Sequence, residues 1–414
     1  MIKVAQQCFQ RILGAIGLVF CITVGLAAHA QQAPDATANQ SDSNQVLLQR
    51  INELEEKVKQ LLDKQAAPIA TPEPAAEEPR VNAVNDRLKL NVFGDVGFET
   101  TDLKPSTNSF EIGSLDLFMT ARLSPKVSAL AEVLFIASDD NTILPDVERL
   151  LLQYRSNDYF TAAIGRYHTS IGYYNTAFHQ GAWFQTMVDR PFMYAFDDQG
   201  GFLPMQEVGV TTSGLIPSGK LGLSYVAEVG NGRNHLLGGE PAQNAQDTNN
   251  GKSFNIAISA HPVWLSGVDM GFSVYHDYLT FSDNVNHSEL ISTVHVVYLN
   301  STYEFLNEAM LVRHVGSSTG APGVFHTPAF YTQFSRRIRS YRPYFRYEYI
   351  NAGVNEPIYG DPTDGPVIGR RNGPSFGLRY EFTEHTAFKL QYDRAQRRGV
   401  PSSNGLDTQF AFTF

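Results

Sequence analysis

Charged side chains in two regions of the chain have the types and spacing to act on ions. One region is the long segment 167–206, which carries Asp189, Arg190, Asp197 and Asp198. The other lies near the C-terminal end. There a period of two places several bases on one polar face, namely Arg337, Arg339, Arg346, Arg379 and Lys389. A basic wall opposite an acidic segment would create a transverse field that orients dipolar solutes and passes ions by sign.

A second interpretation of the same charges stays open. The same alternation along the strands places acidic residues on the polar face beside the bases. They are Glu348, Glu381, Asp393 and Asp407. Opposite charges on neighbouring strands could form cross-strand pairs and neutralise each other along the wall. The mixture also weakens any expectation of strong anion selectivity.

The sequence favours no catalytic, metal or cofactor site. No His-Glu-x-x-His motif occurs, and the 11 histidines show no metal-ligand spacing. Cys8 and Cys21 are the only cysteines, so a disulfide framework or a catalytic thiol is not expected beyond them. His276-Asp277 and His295 leave a hydrolase as the least favoured alternative. We therefore expect a protein that is not an enzyme.

The N-terminal residues predict export and then a stalk. Lys3 and Arg11 precede an apolar stretch that ends at Ala28-His29-Ala30, which predicts a signal peptide over 1–30. Residues 31–44 are polar, and we expect them to be disordered. Leucines, isoleucine and valine at heptad spacing predict a coiled-coil oligomerisation helix over 45–65. A single amphipathic helix resting on its own domain is the alternative. Residues 66–86 form a linker rich in Pro and Ala.

From Leu88 onward apolar and polar residues alternate with a period of two. Leu88, Leu90 and Val92 alternate with Lys89 and Asn91, and about sixteen such runs follow one another, each near the length of a tilted membrane strand. Long polar connections alternate with tight turns, which is the layout of a membrane barrel. Residues 87–414 are therefore predicted to form an all-β, transmembrane antiparallel β-barrel of about 16 strands. The formal net charge of -10 argues against a nucleic-acid partner.

The chain ends on an aromatic strand. Phe410, Phe412 and Phe414 alternate with small or polar residues, so one face of this strand suits lipid and the other suits water. The segment resembles the C-terminal signal strand of bacterial outer-membrane barrels. That resemblance implies the barrel-assembly machinery as a partner, with these three residues as the membrane-assembly signal.

Three further stretches carry a resemblance to one family. They are Leu90-Asn-Val-Phe-Gly-Asp-Val-Gly97, Val127-Ser-Ala-Leu-Ala-Glu-Val133 and Ala163-Ile-Gly-Arg-Tyr-His-Thr-Ser-Ile-Gly172. Together with the predicted coiled coil, the body resembles an outer-membrane porin of the phosphate-selective porin O/P type. The resemblance implies a sixteen-stranded barrel in the outer membrane of a Gram-negative bacterium, with the stalk in the periplasm. It also implies that segment 167–206, which leaves the fifth strand, folds inward and narrows the pore.

These expectations define the functions to be tested. The favoured one is a porin for passive diffusion of small hydrophilic solutes or ions, assembled as a homo-oligomer, with a trimer fitting the stalk. The alternatives are an anion- or phosphate-selective channel of the same fold, and a structural tether that anchors the stalk to the cell wall.

Overall fold

A computed structural model describes residues 87–103, 108–137, 141–178, 182–195, 201–235, 241–243, 245–247, 250–280, 286–317, 322–356, 358–359 and 368–414. The expected signal peptide (1–30), polar segment (31–44), coiled coil (45–65) and linker (66–86) lie outside the described residues, as do Asp197 and Asp198. These remain predictions.

Strands dominate the described residues. The first nine are β1 (Leu88–Thr101), β2 (Ser109–Arg122), β3 (Val127–Ala137), β4 (Ile143–Asn157), β5 (Phe160–His168), β6 (Gln206–Leu215), β7 (Leu223–Gly230), β8 (Arg233–His235) and β9 (Pro241–Gln243). The next nine are β10 (Ser253–Ala260), β11 (Val268–Thr280), β12 (Asn286–Leu299), β13 (Tyr303–Ser317), β14 (Pro322–Arg336), β15 (Tyr341–Asn351), β16 (Arg370–Glu381), β17 (Thr386–Arg397) and β18 (Ser403–Thr413).

Sixteen of these strands form a closed barrel in which every neighbouring pair is antiparallel. Their order around the ring follows the chain, with β8 and β9 set apart as a separate two-stranded sheet. The ring closes where β1 pairs with β18, in a register that runs from Phe93 opposite Thr413 to Thr101 opposite Gly405. Closure leaves no edge strand with unpaired backbone groups. The predicted antiparallel barrel of about 16 strands is confirmed.

The alternation in the sequence becomes an inner and an outer face. In β18 Phe410 is 49% exposed, while its neighbours Gln409 and Ala411 are buried. In β15 Phe345 is 43% exposed and the adjacent Arg346 only 2%. Successive side chains of a strand point to opposite faces, so apolar residues cover the outside and polar residues line the inside.

The three connections that are much longer than the rest, residues 169–205, 231–252 and 352–369, all lie at one end of the barrel. At one end, called here the short-turn end, they comprise residues 123–126, 158–159, 216–222, 261–267, 300–302, 337–340 and 382–385. At the long-loop end they comprise residues 102–108, 138–142, 169–205, 231–252, 281–285, 318–321, 352–369 and 398–402. No helix among the described residues is long and apolar enough to cross a membrane.

Candidate functional site

The connection between β5 and β6, residues 169–205, is the longest and is called here the β5–β6 segment. It contains a short helix, α1 (Tyr174–Ala177), and one turn of 3-10 helix at Phe192–Tyr194. The buried Asn175 side chain donates hydrogen bonds to the carbonyl oxygens of Thr169 and Met205, each at 2.9 Å. These two bonds tie the start and the end of the segment together.

One carboxylate of the barrel wall anchors the start of the segment. Glu308 of β13 is 2% exposed and accepts hydrogen bonds from the backbone N–H groups of Tyr173 (2.6 Å) and Tyr174 (3.0 Å). The hydroxyls of Tyr194 (2.7 Å) and Tyr331 (2.6 Å) donate to the same carboxylate. A buried carboxylate is stable only when its oxygens are bonded in this way. Glu308 therefore fixes α1 against the wall.

Three bases of the wall hold the middle of the segment by its carbonyl oxygens. Lys389 of β17 donates to Ala182 (2.6 Å) and Met187 (2.8 Å). Arg379 of β16 donates to Trp183 (2.7 Å) and Gln185 (2.8 Å), and Arg346 of β15 donates to Asp189 (2.8 Å) and Arg190 (3.1 Å). The three side chains are buried. Charge-assisted hydrogen bonds are stronger than neutral ones, so these six contacts position residues 182–190 firmly.

Other contacts complete the attachment. Gln391 of β17 accepts from the Val188 N–H (3.0 Å) and donates to the Asp189 carboxylate (3.0 Å). Within the segment, the buried Arg190 donates to the carbonyl oxygens of Tyr194 (2.7 Å) and Phe178 (2.9 Å). The Arg190 guanidinium therefore stabilises the segment itself, and burial lowers its pKa.

Apolar packing reinforces these bonds. Seven buried apolar residues of the segment share one cluster with inward-facing residues of β11 to β15, namely Ile171, Tyr174, Met193, Tyr194, Phe202, Leu203 and Met205. Tyr174 stacks on Tyr194 at a centroid distance of 5.8 Å and meets Tyr331 edge-on at 6.1 Å. Aromatic residues that would be costly on a solvated loop are thus buried against the wall.

The structure brings together some of the predicted site residues and separates others. Arg346, Arg379 and Lys389 lie beside the segment that carries Asp189 and Arg190. Arg337 and Arg339 were expected on the polar face of a strand, but both lie in the turn 337–340 at the short-turn end. Arg337 pairs with Glu381 at 2.7 Å, and Arg339 adopts a left-handed backbone with φ of 58°. The expected strand position was wrong for these two because β14 ends at Arg336.

Sequence reasoning missed Glu308 and Gln391. Both occupy positions on the polar face of a strand. In the sequence, a polar residue that bonds a distant loop cannot be distinguished there from one that does not. Only the excess of aromatic residues in the β5–β6 segment signalled that it needed a partner surface.

Two cavities, of about 320 and 530 Å³, lie between the segment and the wall formed by β15–β18 and β1–β3. The first is lined by Asp95, Ser114 and Gln409, among others, and the second by Arg371, Arg394 and Arg397, among others. Five residues line both, and they are called here the junction: Glu99, Glu111, Asp189, Arg190 and Asp407.

Carboxylates gather at the junction. Asp189, Asp393 and Asp407 place one carboxylate oxygen each within 4.8 Å of the others, and among the described residues this group has the composition to hold a metal ion. Partial desolvation by the surrounding protein, followed by the charge of Asp393, raises the pKa of Asp189 to about 6. Like charges at such distances resist simultaneous ionisation.

A separate buried network joins two of the long connections. Arg233 of β8 bonds Glu289 of β12, and His314 of β13 lies between Glu289 (2.8 Å) and Glu356 (2.5 Å). Tyr359 donates to the carbonyl oxygen of Phe202 at 3.0 Å. This network fixes Arg233, Glu356 and Tyr359 near the end of the β5–β6 segment.

One motif that sequence reasoning overlooked has the spacing of a hydrolase. Gly373-Pro374-Ser375-Phe376-Gly377 matches the Gly-x-Ser-x-Gly pattern. A nucleophile elbow requires a sharp turn between a strand and a helix. Here all five residues lie within β16, with Ser375 paired opposite Arg346 and Asp393. The match is one of spacing only.

Comparisons with known proteins identify the fold. No family model matches the chain, and no curated protein matches its sequence. Among solved structures, OmpF of Salmonella typhi in complex with daunomycin is similar with a TM-score of 0.54 and 12% identity, covering 79% of this chain and 97% of that one. The outer membrane channel DcaP of Acinetobacter baumannii gives 0.51 and 8%, covering 80% and 98%. The trimer form of OmpT, an outer membrane protein of Vibrio cholerae, gives 0.51 and 10%, covering 80% and 100%. The chain thus has the fold of outer-membrane β-barrels.

The first prediction concerns the bases that hold the segment. Lys389→Met keeps the length of the side chain but removes the donor to Ala182 and Met187. We expect amide hydrogen exchange in residues 182–190 to speed up by about ten- to a hundredfold, because a buried carbonyl oxygen that loses its donor costs about 1–3 kcal/mol. Exchange measured by mass spectrometry checks this. Lys126→Met, in the exposed turn 123–126, is the control, and equal exchange in the two variants would contradict the anchoring.

Proposed function

We propose that the chain forms a water-filled pore in the outer membrane for passive diffusion of small hydrophilic solutes or ions. In this proposal the β5–β6 segment folds into the barrel and narrows it. The observation that carries the proposal is that one segment bonds inner-face side chains of β13, β15, β16 and β17. A segment attached to that many walls of a closed ring is best accommodated inside the ring.

The size of the barrel supports the same proposal. A ring of sixteen strands encloses more space than its own side chains fill, in contrast to rings of about eight. The apolar cluster occupies the side of β11 to β15, and residues 182–190 extend from it to side chains of β15, β16 and β17. Cavities lined by polar residues remain along β15–β18 and β1–β3. The solute path in our proposal therefore runs along this second side, off the barrel axis.

Partners and location follow from the same proposal. DcaP is an outer membrane channel and OmpT has a trimer form, and both share this fold. We propose a homotrimer in the outer membrane of a Gram-negative bacterium, with residues 45–65 as a periplasmic coiled coil and Phe410, Phe412 and Phe414 as the strand read by the assembly machinery. Phosphate selectivity is less favoured because carboxylates line the cavities. A hydrolase is less favoured because Ser375 lies within a strand and not on a nucleophile elbow. A tether to the cell wall is less favoured because it would not require these cavities.

The second prediction tests the pore and its constriction. The purified protein in planar bilayers should give stepwise conductance. Replacing residues 182–190 by a short Gly-Ser linker should raise the single-channel conductance by at least about 1.5-fold, because a pore's resistance is concentrated at its narrowest part. Circular dichroism checks that both proteins keep the barrel. A protein without stepwise conductance would contradict the pore, and unchanged conductance after the replacement would contradict the constriction.

A further inference from the structure

The bases of the inner wall are occupied by the β5–β6 segment. Arg346, Arg379 and Lys389 are buried, and each donates to two backbone carbonyl oxygens. Carbonyl dipoles that surround a base offset its field, and burial hinders contact with an anion, even for Arg346, which borders the second cavity. These three residues therefore cannot act as a ladder for anions, which is the role that a basic wall would otherwise suggest.

The junction of the two cavities is acidic once the three buried bases are left out of the charge count. Glu99, Glu111 and Asp189 are exposed and Asp407 is half-buried, so four carboxylates border the space that both cavities share. Arg190 is the one base among the five junction residues, and it is 6% exposed and bonded to carbonyl oxygens. Even with Arg190 counted at full charge, negative charges outnumber positive ones there.

Towards the long-loop end, positive and negative side chains border the second cavity in more equal numbers. Arg394 and Arg397 are exposed at its border, and Arg371 lies over the ring of Phe192 at 4.0 Å. Glu348 and Asp393 border the same cavity. This mixture of signs admits both kinds of ion, so the sign preference is decided deeper, at the junction.

Two carboxylates of the junction and the neighbouring Asp393 are close enough to one another to favour a cation. Two unit charges 4.8 Å apart repel by about 1 kcal/mol in bulk water and by about 3–4 kcal/mol near a protein surface. Asp189, Asp393 and Asp407 have this spacing. A monovalent cation that passes beside them relieves the repulsion, whereas an anion adds to it.

We propose that the pore is selective for small cations, with Glu99, Glu111, Asp189, Asp393 and Asp407 as the residues that set the preference. This inference rests on the proposed function, because selectivity requires a conducting pore. It opposes the phosphate selectivity implied by the family resemblance, in which bases would face the water.

The third prediction is a reversal-potential measurement in planar bilayers under a KCl gradient. The native protein should pass K⁺ over Cl⁻ by about threefold or more, and the double variant Asp393→Asn/Asp407→Asn should show a clearly lower ratio, since the lining charge sets the sign of the permeant ion. The single variant Asp393→Glu, which keeps the negative charge, should retain the native K⁺/Cl⁻ ratio. Glu384→Gln, in the short turn 382–385 away from both cavities, serves as the matched control.

The outcomes separate this inference from the proposed function. A conducting protein that prefers Cl⁻ or shows no preference would overturn the selectivity and leave the pore intact. The same holds if the double variant conducts with the native ratio. A native protein that never conducts would overturn both.

The fourth prediction is the pH dependence of the same ratio. The pKa of Asp189 is raised to about 6, so its charge is present above that pH and is lost as the pH falls through it. The charged and polar groups that face it are Gln391, Asp393, Asp407, Glu99, Arg346 and Glu348. The K⁺/Cl⁻ ratio should fall between pH 8 and pH 5 by about twofold. Asp189→Asn should weaken this dependence, and a constant ratio in the native protein would contradict it.

Discussion

Hydrogen bonds from three buried basic side chains to backbone carbonyl oxygens are the interaction on which the interior arrangement depends. A loop that enters a barrel must find partners for its own N–H and C=O groups, because each buried and unsatisfied group costs about 1–3 kcal/mol. Lys389, Arg379 and Arg346 satisfy six carbonyl oxygens of residues 182–190. Glu308 serves the N–H groups at the start of the same segment.

In this arrangement the basic and the acidic residues have different roles. Arg346, Arg379 and Lys389 are buried and structural, whereas several acids at the junction keep contact with solvent. A count of charged residues on the polar face cannot reveal the division, since buried and exposed bases contribute equally to the count. The proposed cation preference follows from the division and not from the net charge of -10.

Much of the fold could be predicted from the sequence, and less of the site. A period of two and alternating connection lengths were sufficient to predict the barrel. Each strand has one face towards lipid and one polar face, so apolar and polar residues alternate in its sequence. Arg346, Arg379 and Lys389 were singled out from the sequence as inner-face residues, yet their partners were not. Those partners are backbone carbonyl oxygens, which every residue has, so no residue type marks them. Arg337 and Arg339 were misplaced because the end of a strand, unlike its period, has a weak sequence signal.

The central claim is that the segment is anchored to the inner wall of the barrel, covers the inner face of β11 to β15 and leaves a water path along β15–β18 and β1–β3. Thiol accessibility in single channels tests it most directly, in a background with Cys8 and Cys21 replaced by Ser. A charged thiol reagent should block current through Asp393→Cys, which borders the second cavity, and leave Met310→Cys, which is 4% exposed beneath the segment, unaffected. Rapid block of Met310→Cys, or no block of Asp393→Cys, would contradict the account.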